Sequence, residues 1–161
     1  TRVQIRDREH DGQGMKGTSY RVPTVPLVPG TASEGEGFRI LESMPVRSII
    51  TNPADGTRPA AGTRELPVRG HAWAGDLAVN EMWVSIDFGQ SWQAAELEAP
   101  VNRHAWANWR TTVTLPAAGY YEIWARAVDS NGLSQPFAAP NWNPSGYGAN
   151  VYHRVAILVE A

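Results

Sequence analysis

The sequence contains no cysteine among its 161 residues, and Lys16 is the only lysine among its 14 basic residues. The absence of cysteine excludes disulfides, zinc–thiolate sites, iron–sulfur ligation and a cysteine nucleophile from this chain. No apolar run approaches the roughly 20 residues of a membrane-spanning helix. The formal net charge is −2. Neither nucleic acid nor a membrane is therefore an expected partner.

The first 43 residues differ in composition from the rest. A run of mixed charge at 6–11 is followed by Gly12, Gly14 and Gly17, and then by prolines at every third position, Pro23, Pro26 and Pro29. Prolines at this spacing favour an extended, polyproline-like chain, and nothing here has the period of a helix. Residues 1–43 are therefore predicted to form an extended arm or linker that packs on a neighbour.

From residue 44 to 161 the pattern is all-β. Strands are predicted at residues 46–51, 66–73, 80–88, 92–97, 109–115, 120–129 and 151–159. Turn residues separate them at intervals of about 8 to 12 residues, and no helix period is present. This pattern predicts an immunoglobulin-like antiparallel β-sandwich of about seven strands, held together by packing alone.

A hairpin at residues 79–98 is the clearest element. The alternation of apolar Met82, Val84, Ile86 and Phe88 with a second set is typical of a strand with one buried face, and Gly89 suits the turn that follows. The second set is Glu81, Trp83, Ser85 and Asp87. The same reasoning applied to residues 120–129 buries Tyr121, Ile123, Ala125 and Ala127. Trp83, Trp124 and Arg126 are then left on the outer face, where tryptophan and arginine favour a protein interface. A bulge that shifts the register would instead move one tryptophan into the core.

Catalytic motifs are not evident. The four histidines His10, His71, His104 and His153 do not occur at metal-ligand spacing, which favours packing or surface roles. Asp87 and Asp129 lie beside turn glycines, which favours turn capping over a carboxylate pair. The seven tryptophans indicate either an aromatic core or a surface patch that binds sugar or protein.

Short motifs follow one known order along the chain. They lie at residues 46–50, 52–56, 68–75, 84–92, 106–109, 125–129, 135–136, 142–144 and 153–155. From Met44 to the end, the chain resembles the C-terminal dimerisation domain of the molybdenum-cofactor sulfite oxidase family, a fold of the immunoglobulin-like E-set type. Within that family it is similar to bacterial sulfite or sulfane dehydrogenases.

The resemblance also covers the arm, because residues 1–43 resemble the tail of the preceding molybdenum domain and its linker. Family members hold molybdenum through a cysteine thiolate and a pterin dithiolene in that upstream domain. The resemblance thus implies a molybdenum cofactor (molybdopterin) in a longer parent enzyme, whose ligating cysteine is not in this chain. It implies that the fragment binds no cofactor and no metal and has no activity alone.

Two departures from the family concern substrate binding. Many members carry an arginine in the last loop, where this chain has Ser145. The family's substrate-contacting tyrosine corresponds to Met15 or Lys16, with Tyr20 five residues further on. The residues that the resemblance places along the substrate funnel are His10, Lys16, Tyr20, Arg21 and Ser145. A solvated tail is the alternative for the arm.

The resemblance implies oxidation of sulfite or a related sulfur compound in the parent, with electrons passing to a c-type cytochrome in the periplasm. The fragment would support a homodimer and wall the substrate funnel beside the upstream molybdenum domain. The alternative is a secreted carbohydrate-binding β-sandwich module that uses surface tryptophans.

Overall fold

A computed structural model describes residues 2–8, 12, 14–31, 37–139 and 143–161, and these residues form ten β-strands and no helix. No helix in this described part is long and apolar enough to cross a membrane. The chain divides into two compact units. One comprises residues 1–42 and 139–149, and the other comprises residues 43–138 and 150–161.

The first unit contains a short antiparallel ladder between β1 (Arg21–Pro23) and β2 (Phe38–Ile40). The backbone continues the pairing at both ends, where Thr24 N donates to Gly37 O and Leu41 N donates to Tyr20 O. The predicted arm is thus folded back on itself within this unit. Residues 139–149 join it, a grouping that the predicted division between residues 43 and 44 did not include.

The second unit is a sandwich of two four-stranded antiparallel sheets. Its strands are β3 (Arg47–Asn52), β4 (Glu65–Trp73), β5 (Val79–Ser85), β6 (Gln93–Ala94), β7 (Glu96–Leu97), β8 (Ala107–Thr114), β9 (Gly119–Asp129) and β10 (His153–Val159). Sheet I has the order β10-β9-β5-β6, and sheet II has the order β3-β4-β8-β7. The predicted all-β sandwich is confirmed.

The strand predicted at residues 92–97 is divided between the two sheets. In sheet I, Ala94 of β6 pairs with Trp83, whereas Leu97 of β7 pairs with Trp109 in sheet II. Between them, Ala95 N donates to Met82 O at 2.8 Å and remains on the sheet I side. The chain therefore returns from the hairpin as predicted and then crosses from one sheet to the other within four residues.

The core lies between the sheets and follows the predicted alternation over most of its length. Met82 and Val84 of β5 and Ile123, Ala125 and Ala127 of β9 are buried. Ile86 is only partly buried, so its predicted burial is partly wrong. Phe88 is 53% exposed, so its predicted burial is wrong. The reason is that β5 ends at Ser85, after which the backbone turns out of the strand.

Trp109 is the largest fully buried side chain, and Gly70 makes room for it. A Cβ atom at Gly70 would lie 1.9 Å from Ile49 O and 2.6 Å from the Trp109 ring. Because both distances are far below van der Waals contact, only glycine fits where the ring packs flat against β4.

Candidate functional site

The outward side of sheet I carries an unusual density of rings. The cross-strand pairs Trp83–Arg126, Trp124–Arg154 and Tyr120–Leu158 point away from the core, and loop residues lie over them. We call this surface the aromatic face, formed by Trp83, Phe88, Trp92, Tyr120, Glu122, Trp124, Arg126, Phe137, Tyr152, Arg154 and Leu158. An antiparallel sheet facing water normally presents polar residues here.

Trp124 is the centre of the aromatic face but is only 6% exposed. Phe88, Phe137 and Tyr152 surround its ring at centroid distances of 6.0, 5.4 and 6.2 Å. The guanidinium of Arg154 lies 5.1 Å from the Trp124 ring and 5.1 Å from the Phe137 ring. The predicted outward direction holds, but the predicted exposure is wrong, because the chain's own loops cover this side chain.

Trp83 and Arg126 form the neighbouring part of the face, and both are half-buried. The Arg126 guanidinium lies 4.1 Å above the ring of Trp92, a cation–π contact. Trp92 is fixed in turn, because its Nε1 donates to Gly89 O at 3.1 Å. Trp83 Nε1 donates to Glu81 Oε2 at 2.8 Å. Each of these large side chains is therefore held in one orientation.

Glu122 organises two further aromatic side chains. Its Oε1 accepts a hydrogen bond from the Tyr120 hydroxyl at 2.9 Å, and its Oε2 accepts one from Trp124 Nε1 at 2.8 Å. The hydrogen bond to Glu122, with a smaller effect of burial, raises the pKa of Tyr120. The carboxylate thus satisfies the polar atoms of both rings while their apolar parts remain available for packing.

The turn after β5 presents Phe88. Ser85 Oγ accepts hydrogen bonds from Asp87 N and Gly89 N, and Asp87 Oδ1 accepts one from Ser91 N. Hydrogen bonds from the Ser91 side chain and backbone, then from Ser85, lower the pKa of Asp87 to about 2. Inside this network Phe88 has a φ of 59°, which is rare for a bulky residue. The predicted capping role of Asp87 is confirmed.

Gln135 positions the loop that carries Phe137, a role that the sequence reasoning missed. The side chain is 1% exposed. Its Oε1 accepts from Ser48 Oγ at 2.6 Å and Ala127 N at 2.8 Å. Its Nε2 donates to the carbonyls of Asn150 and Val151. Asp129 closes the turn just before it, accepting from the backbone of residues 131 and 133, so its predicted capping role is also confirmed.

The outward side of sheet II is different and is called the charged face, formed by Glu65, Arg69, His71, Glu96, Glu98, Asn108, Arg110, Thr112 and Thr114. Arg110 bonds Glu96 at 2.7 Å and Glu98 at 2.8 Å. His71 Nδ1 lies 3.0 Å from Asn108 Oδ1. Trp106, which is 60% exposed, lies beside His71 at the end of this face. These are side chains that suit contact with water.

Among the described residues, which include His71, His104 and His153, no cluster of three His, Asp or Glu side chains that could hold a metal ion occurs. His10 lies outside the described residues. His153 Nδ1 accepts a hydrogen bond from Ile50 N at 3.1 Å. Burial, then the charge of Arg47, lowers the pKa of His153, while Asp55 opposes the shift. His153 is therefore a packing histidine that links β10 to β3.

The funnel candidates of the arm lie in the first unit. Arg21 Nη1 donates to the carbonyls of Met15 at 2.9 Å and Gly17 at 3.1 Å, so its guanidinium holds the preceding turn. Tyr20 is 53% exposed and stacks on Tyr147 at 5.0 Å, with a φ of 54°. Lys16 is exposed.

Asn143 joins these residues to the last loop. Its Nδ2 donates to Arg21 O at 2.6 Å, and its Oδ1 accepts from Ser145 N at 2.8 Å. Tyr20, Arg21 and Ser145, which the sequence places far apart, therefore belong to one unit. In the sequence, Asn143 stands out only as part of the motif at residues 142–144, and nothing there predicts this bridging role.

Known proteins match this chain in sequence over both the arm and the sandwich. The profile of the Mo-co oxidoreductase dimerisation domain matches residues 38–160. Mitochondrial sulfite oxidase of Rattus norvegicus is 38% identical over 126 residues, covering 74% of this chain and 23% of the relative. Mitochondrial sulfite oxidase of Drosophila melanogaster is 34% identical over 176 residues, covering 99% of this chain and 30% of the relative. The chain thus spans 23–30% of the length of these two relatives.

A solved structure shares the fold. The sulfane dehydrogenase SoxCD from Paracoccus pantotrophus aligns with a TM-score of 0.66 and 21% sequence identity. The alignment covers 91% of this chain and 38% of that chain.

Proposed function

The chain belongs to the Mo-co oxidoreductase dimerisation domain family, and from that premise we propose that it is the dimerising C-terminal part of a longer sulfite oxidase-type enzyme. The observation that carries the proposal is the alignment with the Drosophila melanogaster sulfite oxidase over 99% of this chain. Because that alignment includes the arm as well as the sandwich, both units derive from one enzyme architecture. The two proposed roles of the chain are homodimerisation and walling of one side of the substrate funnel.

The residues of this chain do not fit the metal itself. The sequence has no cysteine to supply a thiolate, and the described residues contain no cluster of three His, Asp or Glu. The molybdenum cofactor of the longer enzyme is therefore proposed to be held by an upstream domain. No chemical step is assigned to residues of this chain.

For the substrate we propose sulfite or a related sulfur compound, an anion in either case. The family resemblance implies an arginine at the position of Ser145, and a hydroxyl supplies a hydrogen bond but no charge. Arg21 Nη1 already bonds backbone carbonyls of the arm. Lys16 and Tyr20, both exposed, are then the side chains best placed to meet an anion, with His10 and Ser145 as the remaining funnel candidates.

Electron transfer to a c-type cytochrome and a periplasmic location complete the proposal. Both follow from the sequence resemblance to bacterial sulfite and sulfane dehydrogenases. The carbohydrate-binding alternative is not favoured, because the sequence relatives are sulfite oxidases. The burial of Trp124 also removes one of the tryptophans that such a module would use.

The experiment is metal and pterin analysis of the full-length protein, coupled to an assay of sulfite-dependent cytochrome c reduction. The proposal predicts one molybdenum and one pterin per chain, with reduction that requires sulfite or a related sulfur substrate. Full-length protein without molybdenum would contradict it.

The arm is tested in the same full-length enzyme by Lys16→Ala and Tyr20→Phe. Loss of a contact to the anion should raise KM or lower turnover several-fold, whereas Arg39→Ala removes an exposed cation of β2 and serves as the matched control. Unchanged kinetics in both arm variants would confine the arm to a structural role.

A further inference from the structure

Parts of the sandwich edges are already occupied by hydrogen bonds within the chain. Along the outer edge of β10, Ala156 N donates to Asp55 Oδ1 at 2.7 Å, Gly56 N donates to Ala156 O, and Leu158 N donates to Thr57 O. On the free edge of β3, Ile50 N donates to His153. At the opposite edges, β6 and β7 have two residues each. A partner therefore has little unpaired backbone to extend and must contact a face.

The charged face offers little to a partner. Arg110 is paired with Glu96 and Glu98, and Glu65 accepts a hydrogen bond from Thr114. These groups are exposed, and covering them would remove water from ion pairs that are already satisfied. Charged residues of this kind are depleted at the centres of protein interfaces.

The aromatic face has the opposite character. Phe88, Tyr120 and Phe137 are 53%, 56% and 54% exposed. Phe88 and Phe137 contact the buried ring of Trp124, and Tyr120 shares the carboxylate of Glu122 with it. Phe88 is held in the left-handed region by the Ser85 and Asp87 turn. Strained backbone of this kind persists where the surrounding structure enforces it, and it is concentrated at functional positions.

We infer that a second copy of this chain covers the aromatic face of sheet I, with Phe88 and Phe137 as its central contacts and Trp124 as their buried support. The inference rests on the proposed homodimer, for which it supplies the surface. A twofold interface uses the same patch on both copies, so the patch must complement itself. The patch carries both signs of charge, as such complementarity requires, because Arg126 and Arg154 lie on the same face as Glu81 and Glu122.

The test is sedimentation velocity on the 161-residue chain and on the variants Phe88→Asp and Phe137→Asp. Both side chains are about half exposed, so a carboxylate is tolerated in the monomer but is desolvated at an interface. Each change should raise the dimer dissociation constant about 30-fold or more. Trp106→Asp, at an equally exposed ring beside the charged face, should leave the constant unchanged. Circular dichroism reports folding.

If either variant unfolds, Leu158→Glu on β10 is the deciding variant, since this side chain lies on the same outward face opposite Tyr120, four residues along β10 from the partner of Trp124. The inference is supported if the wild type and Trp106→Asp are dimeric while the variants of the aromatic face are monomeric. Dimeric wild type whose folded face variants remain dimeric overturns the inference and leaves the proposed homodimer standing. A wild-type chain that is monomeric at every concentration contradicts the proposed dimerisation itself.

Discussion

The outer faces of the two sheets meet their surroundings in different ways. On sheet II, Arg110, Glu96 and Glu98 form exposed ion pairs, and the strands alternate cleanly between buried and exposed residues. On sheet I, β9 carries three consecutive buried residues, Ile123, Trp124 and Ala125. The alternation disappears there because Phe137 and Tyr152 pack over the outer side of the strand.

Sheet I therefore has a second layer of packing outside the sandwich core. Its outermost rings, Phe88 and Phe137, are only half covered by the chain itself. Burial of Trp124 stabilises the single chain, but exposed rings such as Phe88 and Phe137 are unusual on a sheet that meets only water and favour contact with a partner. Under the proposed dimer, the charged face meets water and the aromatic face meets the partner.

Among variants of the two faces, Trp124→Ala should reduce the stability of the folded chain most. Removing a nearly buried tryptophan should lower the free energy of unfolding by about 3–5 kcal/mol. Trp106→Ala beside the charged face should change it by less than about 0.5 kcal/mol. Urea denaturation monitored by circular dichroism measures both. Equal effects would mean that Trp124 does not support a packed layer.

Gln135→Ala should have the next largest effect, about 2–4 kcal/mol, because several buried partners lose a hydrogen bond at once. Association should weaken as well, since the loop that carries Phe137 loses its anchor. The matched control is Gln93→Ala, an exposed glutamine that bonds Thr111 and Thr112. Urea midpoints and sedimentation compare the two, and a Gln135 variant as stable as the Gln93 variant would refute the anchoring role.

The alternation of apolar residues predicted the sandwich and much of its core. In β5 and β9, a period of two identified Met82, Val84, Ile123 and Ala125 as buried, because one face of each strand packs inward. The same period failed at Phe88, since the side chains of Ser85 and Asp87 bond the backbone and end the strand first. The serines and aspartate around Gly89 were the signal that could have shown this turn.

Burial on the outer face could not be predicted from strand periodicity. Trp124 is covered by Phe137 and Tyr152, which come from a loop and from the residue just before β10. Gln135 bonds four partners that lie in different parts of the chain, Ser48, Ala127, Asn150 and Val151. Such contacts depend on the tertiary arrangement, so no local pattern carries them.

A smaller effect on the free energy of unfolding is expected from pH, through a histidine that connects the two sheets. His153 links β10 of sheet I to β3 of sheet II through Ile50 N, and its pKa lies below the usual 6.5. As pH falls through 6.5, the unfolded chain takes up a proton that the folded chain resists. Stability should therefore be full above that pH and decrease below it.

Urea midpoints for wild type and His153→Gln between pH 8 and pH 5 check this expectation, since the variant should show a smaller loss on acidification. The decrease should level off once the pH passes below the pKa of the folded state. Identical pH profiles for the two proteins would show that His153 is not the responsible group.

The smallest effect is expected on the charged face. Arg110→Ala removes two exposed ion pairs, so it should lower stability slightly at low salt and hardly at all in about 1 M salt. Arg69→Ala is the control, because Arg69 lies directly opposite Arg110 and adds like charge to the pair of strands. Neither change should alter association. A clear loss of dimer in either variant would assign the partner to the charged face.

The most direct measurement is hydroxyl-radical footprinting of the wild-type chain at concentrations above and below the dimer dissociation constant. This method measures the oxidation of Phe88, Phe137 and Trp106 in one sample without any substitution. All three side chains are exposed in the single chain. We predict that oxidation of Phe88 and Phe137 falls as the dimer forms, while oxidation of Trp106 stays constant. Protection of Trp106, with Phe88 and Phe137 oxidised equally at both concentrations, would contradict the account.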